Sequence, residues 1–167
     1  MLNSLNVRPA QPSDVEQIKQ LALDNHMFEP EEICVFDEML AGFFDGSLEG
    51  HQWVVATTKE EPQQLAAAAY YAPEPFSDRM WNLYFIATNP SQHGSGAGTT
   101  LIERVESNLR QAGADAARTL IVDTSSLGAY DQARSFYDRR GFVEEACVRD
   151  FYGPGDNKVT FWKSLTD

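Results

Sequence analysis

The chain has 167 residues, 43% of them hydrophobic and 23% charged, the make-up of one soluble globular domain rather than a disordered, collagen-like or coiled-coil chain. Thirteen Lys and Arg against 25 Asp and Glu give a net charge of −12 and a pI near 4.6. That field repels nucleic acid and anionic membranes and suits a cationic small molecule or a basic peptide, although simple solubility explains it as well.

No apolar run approaches the roughly 18–20 residues that a membrane span needs. The opening Met1-Leu2-Asn3-Ser4-Leu5-Asn6 has neither a basic nor an apolar export region. Cys34 and Cys147 stand far apart, with no metal or redox spacing, and His26, His51 and His93 are scattered. These features point to a reducing, cytoplasmic setting and to no metal.

In chain order, Leu5-Asn6-Val7-Arg8 reads as a short strand. Ser13-Asp14-Val15-Glu16 has the form of a capping box, and Val15, Ile18, Leu21 and Ala22 continue it at helical spacing. A second amphipathic helix is predicted after Pro30 from the stripe Ile33, Phe36, Met39, Leu40, Phe43, closed at Gly46. The period then changes: Trp53–Ala56, Leu65–Tyr71 and Met80–Thr88 read as three strands joined by short polar turns, an antiparallel meander. After Asn89-Pro90 comes a glycine-rich loop and a helix carrying Leu101, Ile102, Val105, Leu109 and Ala112, with Gly113 as its cap. Thr119–Asp123 reads as a buried strand, Tyr130–Arg140 as a helix ended by Gly141, and Phe142-Val143 and Val159–Trp162 as the last strands. There is no repeat and no linker. Residues 1–167 read as a single α/β domain.

The loop His93-Gly94-Ser95-Gly96-Ala97-Gly98-Thr99 lies between a strand and a helix. Glycines allow positive φ and close approach of a ligand to the main chain, and a helix N-terminus offers unpaired amides to a pyrophosphate. A plain flexible connection has the same composition. The nucleoside-triphosphate P-loop does not fit, because no lysine follows Gly98. The dinucleotide fingerprint does not fit either, because Thr99 stands where its third glycine belongs.

The segment instead resembles the acyl-CoA-binding motif of the GCN5-related N-acetyltransferase (GNAT) family, Gln/Arg-x-x-Gly-x-Gly/Ala. It is preceded by Ile86-Ala87-Thr88-Asn89-Pro90, similar to the strand end of that family. Val7 through Asp14 is similar to the family's opening strand and helix start, and Ala133 through Phe142 to its late helix, with an Ala, a Tyr and a Gly-Phe. His93 stands where the family has Gln or Arg, and Tyr130 where it often has Asn.

The resemblance implies a mixed, mostly antiparallel sheet flanked by helices, with strands splayed at the acyl-CoA site. It implies transfer of an acetyl group from acetyl-CoA, the acyl donor, to a primary amine of a small cationic molecule or peptide. An ammonium must lose a proton before it attacks, the oxyanion needs a donor, and the leaving thiolate needs a proton. Carried over residue by residue, Ile86 and Thr88 offer main-chain contacts to the pantetheine arm and the Ala87 amide serves the oxyanion. The amides from His93 through Gly94, Ser95, Gly96, Ala97 and Gly98 to Thr99 hold the pyrophosphate. Tyr137 takes the acid role, although a tyrosine beside Ala133 and Phe136 also suits a core. Asp123, at the end of its strand, is either the base or a turn cap. Asn82 and Tyr84 share a strand face with Ile86 and line the amine pocket. His26, beside Met27-Phe28, reads as a solvated loop histidine. A homodimer is common among such relatives. A second class of function fits the same motifs: a CoA-binding sensor that keeps the fold without turnover.

Overall fold

The computed structural model describes residues 4–166. Among them the elements run β1 (Leu5–Pro9), α1 (Val15–Asp24), α2 (Val35–Asp45), β2 (Gln52–Thr58), β3 (Leu65–Pro73), β4 (Met80–Thr88), α3 (Ala97–Ala112), β5 (Thr119–Ser125), α4 (Asp131–Arg139), β6 (Val143–Gly153) and β7 (Asp156–Ser164). The strands follow the order β1-β2-β3-β4-β5-β7-β6 in one mixed sheet. β1, β2 and β3 pair antiparallel, as do β5, β7 and β6. β4 and β5 pair in parallel. The chain divides into two compact units: one is the chain up to Ala72 together with Phe85–Val105, the other Pro73–Tyr84 together with the chain from Glu106 onward.

In the first unit, α1 and α2 close over aromatic residues. Phe36 of α2 meets Phe28, Trp53 and Phe85 edge-on, with ring centroids 5.1, 5.6 and 5.2 Å apart. Trp53 is fully buried and stacks on Tyr70 at 4.6 Å. Such pairs contribute about 0.5–1.5 kcal/mol each beyond area burial.

The start of α1 departs from the sequence expectation. Ser13 and Glu16 form no capping box; a 3-10 turn, Pro12–Asp14, comes first. Asp14 takes the capping part, accepting from the Gln11 amide at 2.7 Å and from both ends of the Arg8 guanidinium at 2.7 and 3.0 Å. Burial would push the Asp14 carboxyl up, but these donors outweigh it and hold it below the usual range. The stripe residue Ile33 falls in turns ahead of α2, which begins only at Val35.

In the second unit, β5 is sandwiched by pairing. β7 runs along it from Thr119↔Ser164 to Ser125↔Lys158, and β6 lies outside β7. On α4, Arg134 donates to the carbonyls of Ser125 and Leu127, so the helix is pinned to the end of β5. The hairpin strands are longer than their apolar cores predicted. Turn chemistry at Gly153-Pro154-Gly155 rather than hydrophobicity sets their ends, with Gly155 at φ +79°.

Candidate active site

In the first unit the backbone carries the candidate binding chemistry. Phe85 and Ala87 turn into the core, at 3% and 4% exposure, so Ile86 and Thr88 face the opposite side of β4. The Thr88 carbonyl accepts from Asn25 Nδ2 at 3.0 Å. Asn89 then ends the strand: its amide donates to the Ala66 carbonyl at 2.8 Å, and its side chain accepts from the Ser91 amide at 3.0 Å. A 3-10 turn at Pro90–Gln92 leads into the exposed loop.

Gly94 and Gly96 lie at φ +80° and +87°. A Cβ at either position would meet nothing within 4 Å, so glycine serves the backbone conformation there and not a steric fit. The His93 and Ser95 amides donate within the turn, to the carbonyls of Pro90 and Gln92. The amides of Gly94, Gly96, Ala97, Gly98 and Thr99 have no acceptor among the described residues, and the first helical bond into the loop is Thr100 to Gly96 at 2.9 Å. No acidic residue occupies the first turn of α3. Five unpaired amides at the positive end of a 16-residue helix fit a phosphate ester. The His93 side chain is exposed and adds no hydrogen bond to the loop.

In the second unit side chains carry the candidate chemistry. The parallel pairing of β4 with β5 covers only Met80, Trp81 and Asn82, against Thr119, Leu120 and Ile121. Beyond it Tyr84, on the same face as Asn82, is 45% exposed. Both residues donate to one oxygen, Glu74 Oε2, the amide at 2.9 Å and the hydroxyl at 2.8 Å. The same Asn82 nitrogen lies 3.4 Å from Asp123 Oδ2. Thr160, the cross-strand neighbour of Asp123 on β7, donates to Asp123 Oδ1 at 2.6 Å. Asp123 therefore does not end its strand and caps no turn, because β5 continues to Ser125.

Tyr137 is buried at 6% exposure, packed against Phe136, Phe142 and Phe161 at centroid distances of 5.5, 6.0 and 5.6 Å. Burial, with a smaller contribution from Tyr152, pushes its hydroxyl well above the usual tyrosine value. Tyr152 of β6 is itself pushed up to about 12, first by burial and then by Asp123, Asp156 and Tyr130. Sequence reasoning missed Glu74 and Thr160: the β5–β7 register brings Thr160 to Asp123, the turn ahead of β4 brings Glu74 to Asn82 and Tyr84, and no spacing signals either.

His26 lies exposed in a left-handed turn at φ +55°, and His51 shares a hydrogen bond with Tyr70 in the first unit. Among the described residues no three His, Cys, Asp or Glu gather where a metal could be held, and no helix is long and apolar enough to cross a membrane.

These features converge on one class, and the chain belongs to the acetyltransferase (GNAT) family, whose model matches residues 15–142. A protein of Desulfovibrio desulfuricans assigned to that family is 30% identical over 98% of this chain and 100% of its own, with a TM-score of 0.87. The yncA protein of Salmonella typhimurium, solved with its cofactor acetyl-CoA, has a TM-score of 0.77 at 17% identity, covering 98% of this chain and 95% of that one. An aminoglycoside 6′-N-acetyltransferase complexed with coenzyme A has a TM-score of 0.75 at 13% identity, covering 97% and 98%. Among curated proteins none matches the sequence. By family the chain is an acetyltransferase.

Proposed function

We propose that this protein acetylates a primary amine of a small cationic molecule or peptide by direct attack, with Asp123 as base and Tyr137 as acid. The observation that carries this reading is the setting of Asp123, which Thr160 holds at 2.6 Å while its other oxygen lies 3.4 Å from Asn82 Nδ2, beside the Glu74 carboxylate that Asn82 and Tyr84 share. Acetyl-CoA supplies the acyl group as an activated thioester. The amides of Gly94, Gly96, Ala97, Gly98 and Thr99 would hold its phosphates. His93 and Ser95 shape that loop with their amide bonds, and the Ile86, Ala87 and Thr88 backbone would hold its arm.

Asp123 is fixed by Thr160 and keeps its second oxygen toward Asn82, a geometry suited to taking a proton from an incoming ammonium. Tyr137 stays protonated through neutral and mildly alkaline pH because its hydroxyl is held above its ordinary value of about 10. It is therefore in its donor form at working pH. The net charge of −12 favours capture of a cationic acceptor.

The test is thiol release from acetyl-CoA across a panel of amines. Tyr137→Phe should bind acetyl-CoA as the wild type does and lose about a hundredfold in kcat. Unchanged turnover in that variant would remove Tyr137 from the acid role, and no turnover with any amine would leave the CoA-binding sensor as the reading.

The reading treats residues 1–167 as one acetyltransferase domain acting in the cytoplasm. The exposed length of β6, the outermost strand, supports association as a homodimer, which sedimentation equilibrium reads directly.

A further inference from the structure

β6 is the outermost strand of the sheet, and among the described residues it pairs with β7 alone. Ten of its eleven residues are exposed, so its own chain covers neither of its faces. Its neighbour differs: β7 buries Val159 and Phe161, whereas their register partners on β6, Cys147 and Glu144, stay exposed. Edge strands are commonly protected by lysine or proline, and β6 contains neither. Its pairing with β7 is irregular between Glu144 and Ala146 and again between Val148 and Gly153. What lies between is a regular, uncharged stretch, Ala146-Cys147-Val148.

The residues flanking that stretch supply the second observation. Glu145 stands two positions before Cys147 and Arg149 two after it; Val143 stands four before and Phe151 four after. An antiparallel copy of the same strand, centred on Cys147, therefore sets acid against base and apolar against apolar at both ends. Val143 and Phe151 are each 54% exposed. Among the described residues Arg149 forms no ion pair in its own chain, unlike Arg8, Arg79, Arg118 and Arg134. This register also sets Glu144 opposite Asp150. Asp150, however, lies at φ +54° and turns back into its own hairpin, where its carboxylate accepts from the Gly155 amide at 2.9 Å.

We propose that β6 pairs antiparallel with β6 of a second copy about a two-fold axis at Cys147. Glu145 of each copy meets Arg149 of the other, and Val143 meets Phe151. The inference rests on the homodimer of the proposed function and gives it a surface and a register; it is independent of acetyl transfer. A second copy is the occupant because the strand carries both halves of each complementary pair. An unrelated strand would have to supply an acid, a base and two apolar residues at matching offsets.

The experiment is sedimentation equilibrium of the wild type and of charge-exchanged variants. Arg149→Glu and Glu145→Arg each place like charges together twice per dimer, so each should weaken association about tenfold or more. The double variant carrying both changes restores opposite charges and should associate within about threefold of the wild type. A cross-link reads the register separately. Directly opposed residues of an antiparallel pair have Cα atoms about 4.5–5.5 Å apart, within disulfide range. In Cys34→Ser protein treated with diamide, two Cys147 thiols should pass two protons and two electrons to the reagent and leave a disulfide-linked dimer. A monomeric wild type overturns both this inference and the homodimer. A dimer that is indifferent to both charge changes, is not restored by the double variant, or gives no Cys147 cross-link overturns this inference alone and leaves a homodimer through another surface.

Discussion

The glycine loop of the first unit and the carboxylate cluster of the second offer different materials for recognition. The loop presents five unpaired backbone amides, set by two glycines in left-handed conformation, and none of its side chains is needed for the fit. The cluster is made of side chains from three strands and one turn: Asn82 and Tyr84 on β4, Asp123 on β5, Thr160 on β7 and Glu74 ahead of β4. Backbone recognition suits a donor common to the whole family, because peptide geometry is the same whatever the side chains. Side-chain recognition suits an acceptor particular to one member, because each position varies independently. On the proposed assignment the loop serves what the family shares and the cluster what is particular to this chain.

The comparison breaks first at Asp123. Asp123→Asn keeps the hydrogen bond from Thr160 and removes the proposed base, so kcat should fall about a thousandfold with little change in acetyl-CoA affinity. Stopped-flow turnover beside equilibrium binding measures the two separately. A kcat within about tenfold of the wild type would return Asp123 to a structural role and move the base elsewhere in the cluster.

A smaller effect falls on the scaffold of the first unit. Asp14→Asn removes the charge that Arg8 and the Gln11 amide hold, at a cost of about 2 kcal/mol in unfolding free energy. The pH dependence follows in sign. Because the folded Asp14 carboxyl is held low, its stabilisation is complete above the unfolded value of about 3.9 and is lost as pH falls through the folded value. Chemical denaturation at neutral pH and again below pH ~3 should show the gap between wild type and variant narrowing. A gap that stays constant would show that the pair is not what sets the local stability.

How far the sequence is legible follows the same division. The loop stands out in the sequence because its glycines lie between a strand end and a helix start, and the structure gives Gly94 and Gly96 positive φ there. β4 was bounded as Met80–Thr88, and the structure has the same limits, because the aromatic run stops at Asn89-Pro90. Asp123 and Tyr84 were visible as candidates through strand alternation and the family resemblance. Glu74 and Thr160 were not, because a contact across 37 residues between Asp123 and Thr160 depends on the β5–β7 register, which no local pattern encodes. The cap of α1 was misplaced for a related reason. Ser13 and Glu16 satisfy the local rule, but Arg8 on β1 commits Asp14 instead, and a tertiary ion pair outweighs a local preference.

The most direct measurement is acetyl-CoA affinity in two variants side by side, Gly96→Val and Asp123→Asn. A β-branched residue at φ +87° is strained by about 1–2 kcal/mol and displaces the loop amides, so Gly96→Val should weaken acetyl-CoA binding about tenfold. Asp123→Asn should bind it as the wild type does. Backbone recognition of the donor in one unit and side-chain chemistry on the acceptor in the other predict that separation. Equal loss of affinity in both variants, or full affinity in Gly96→Val, would contradict it.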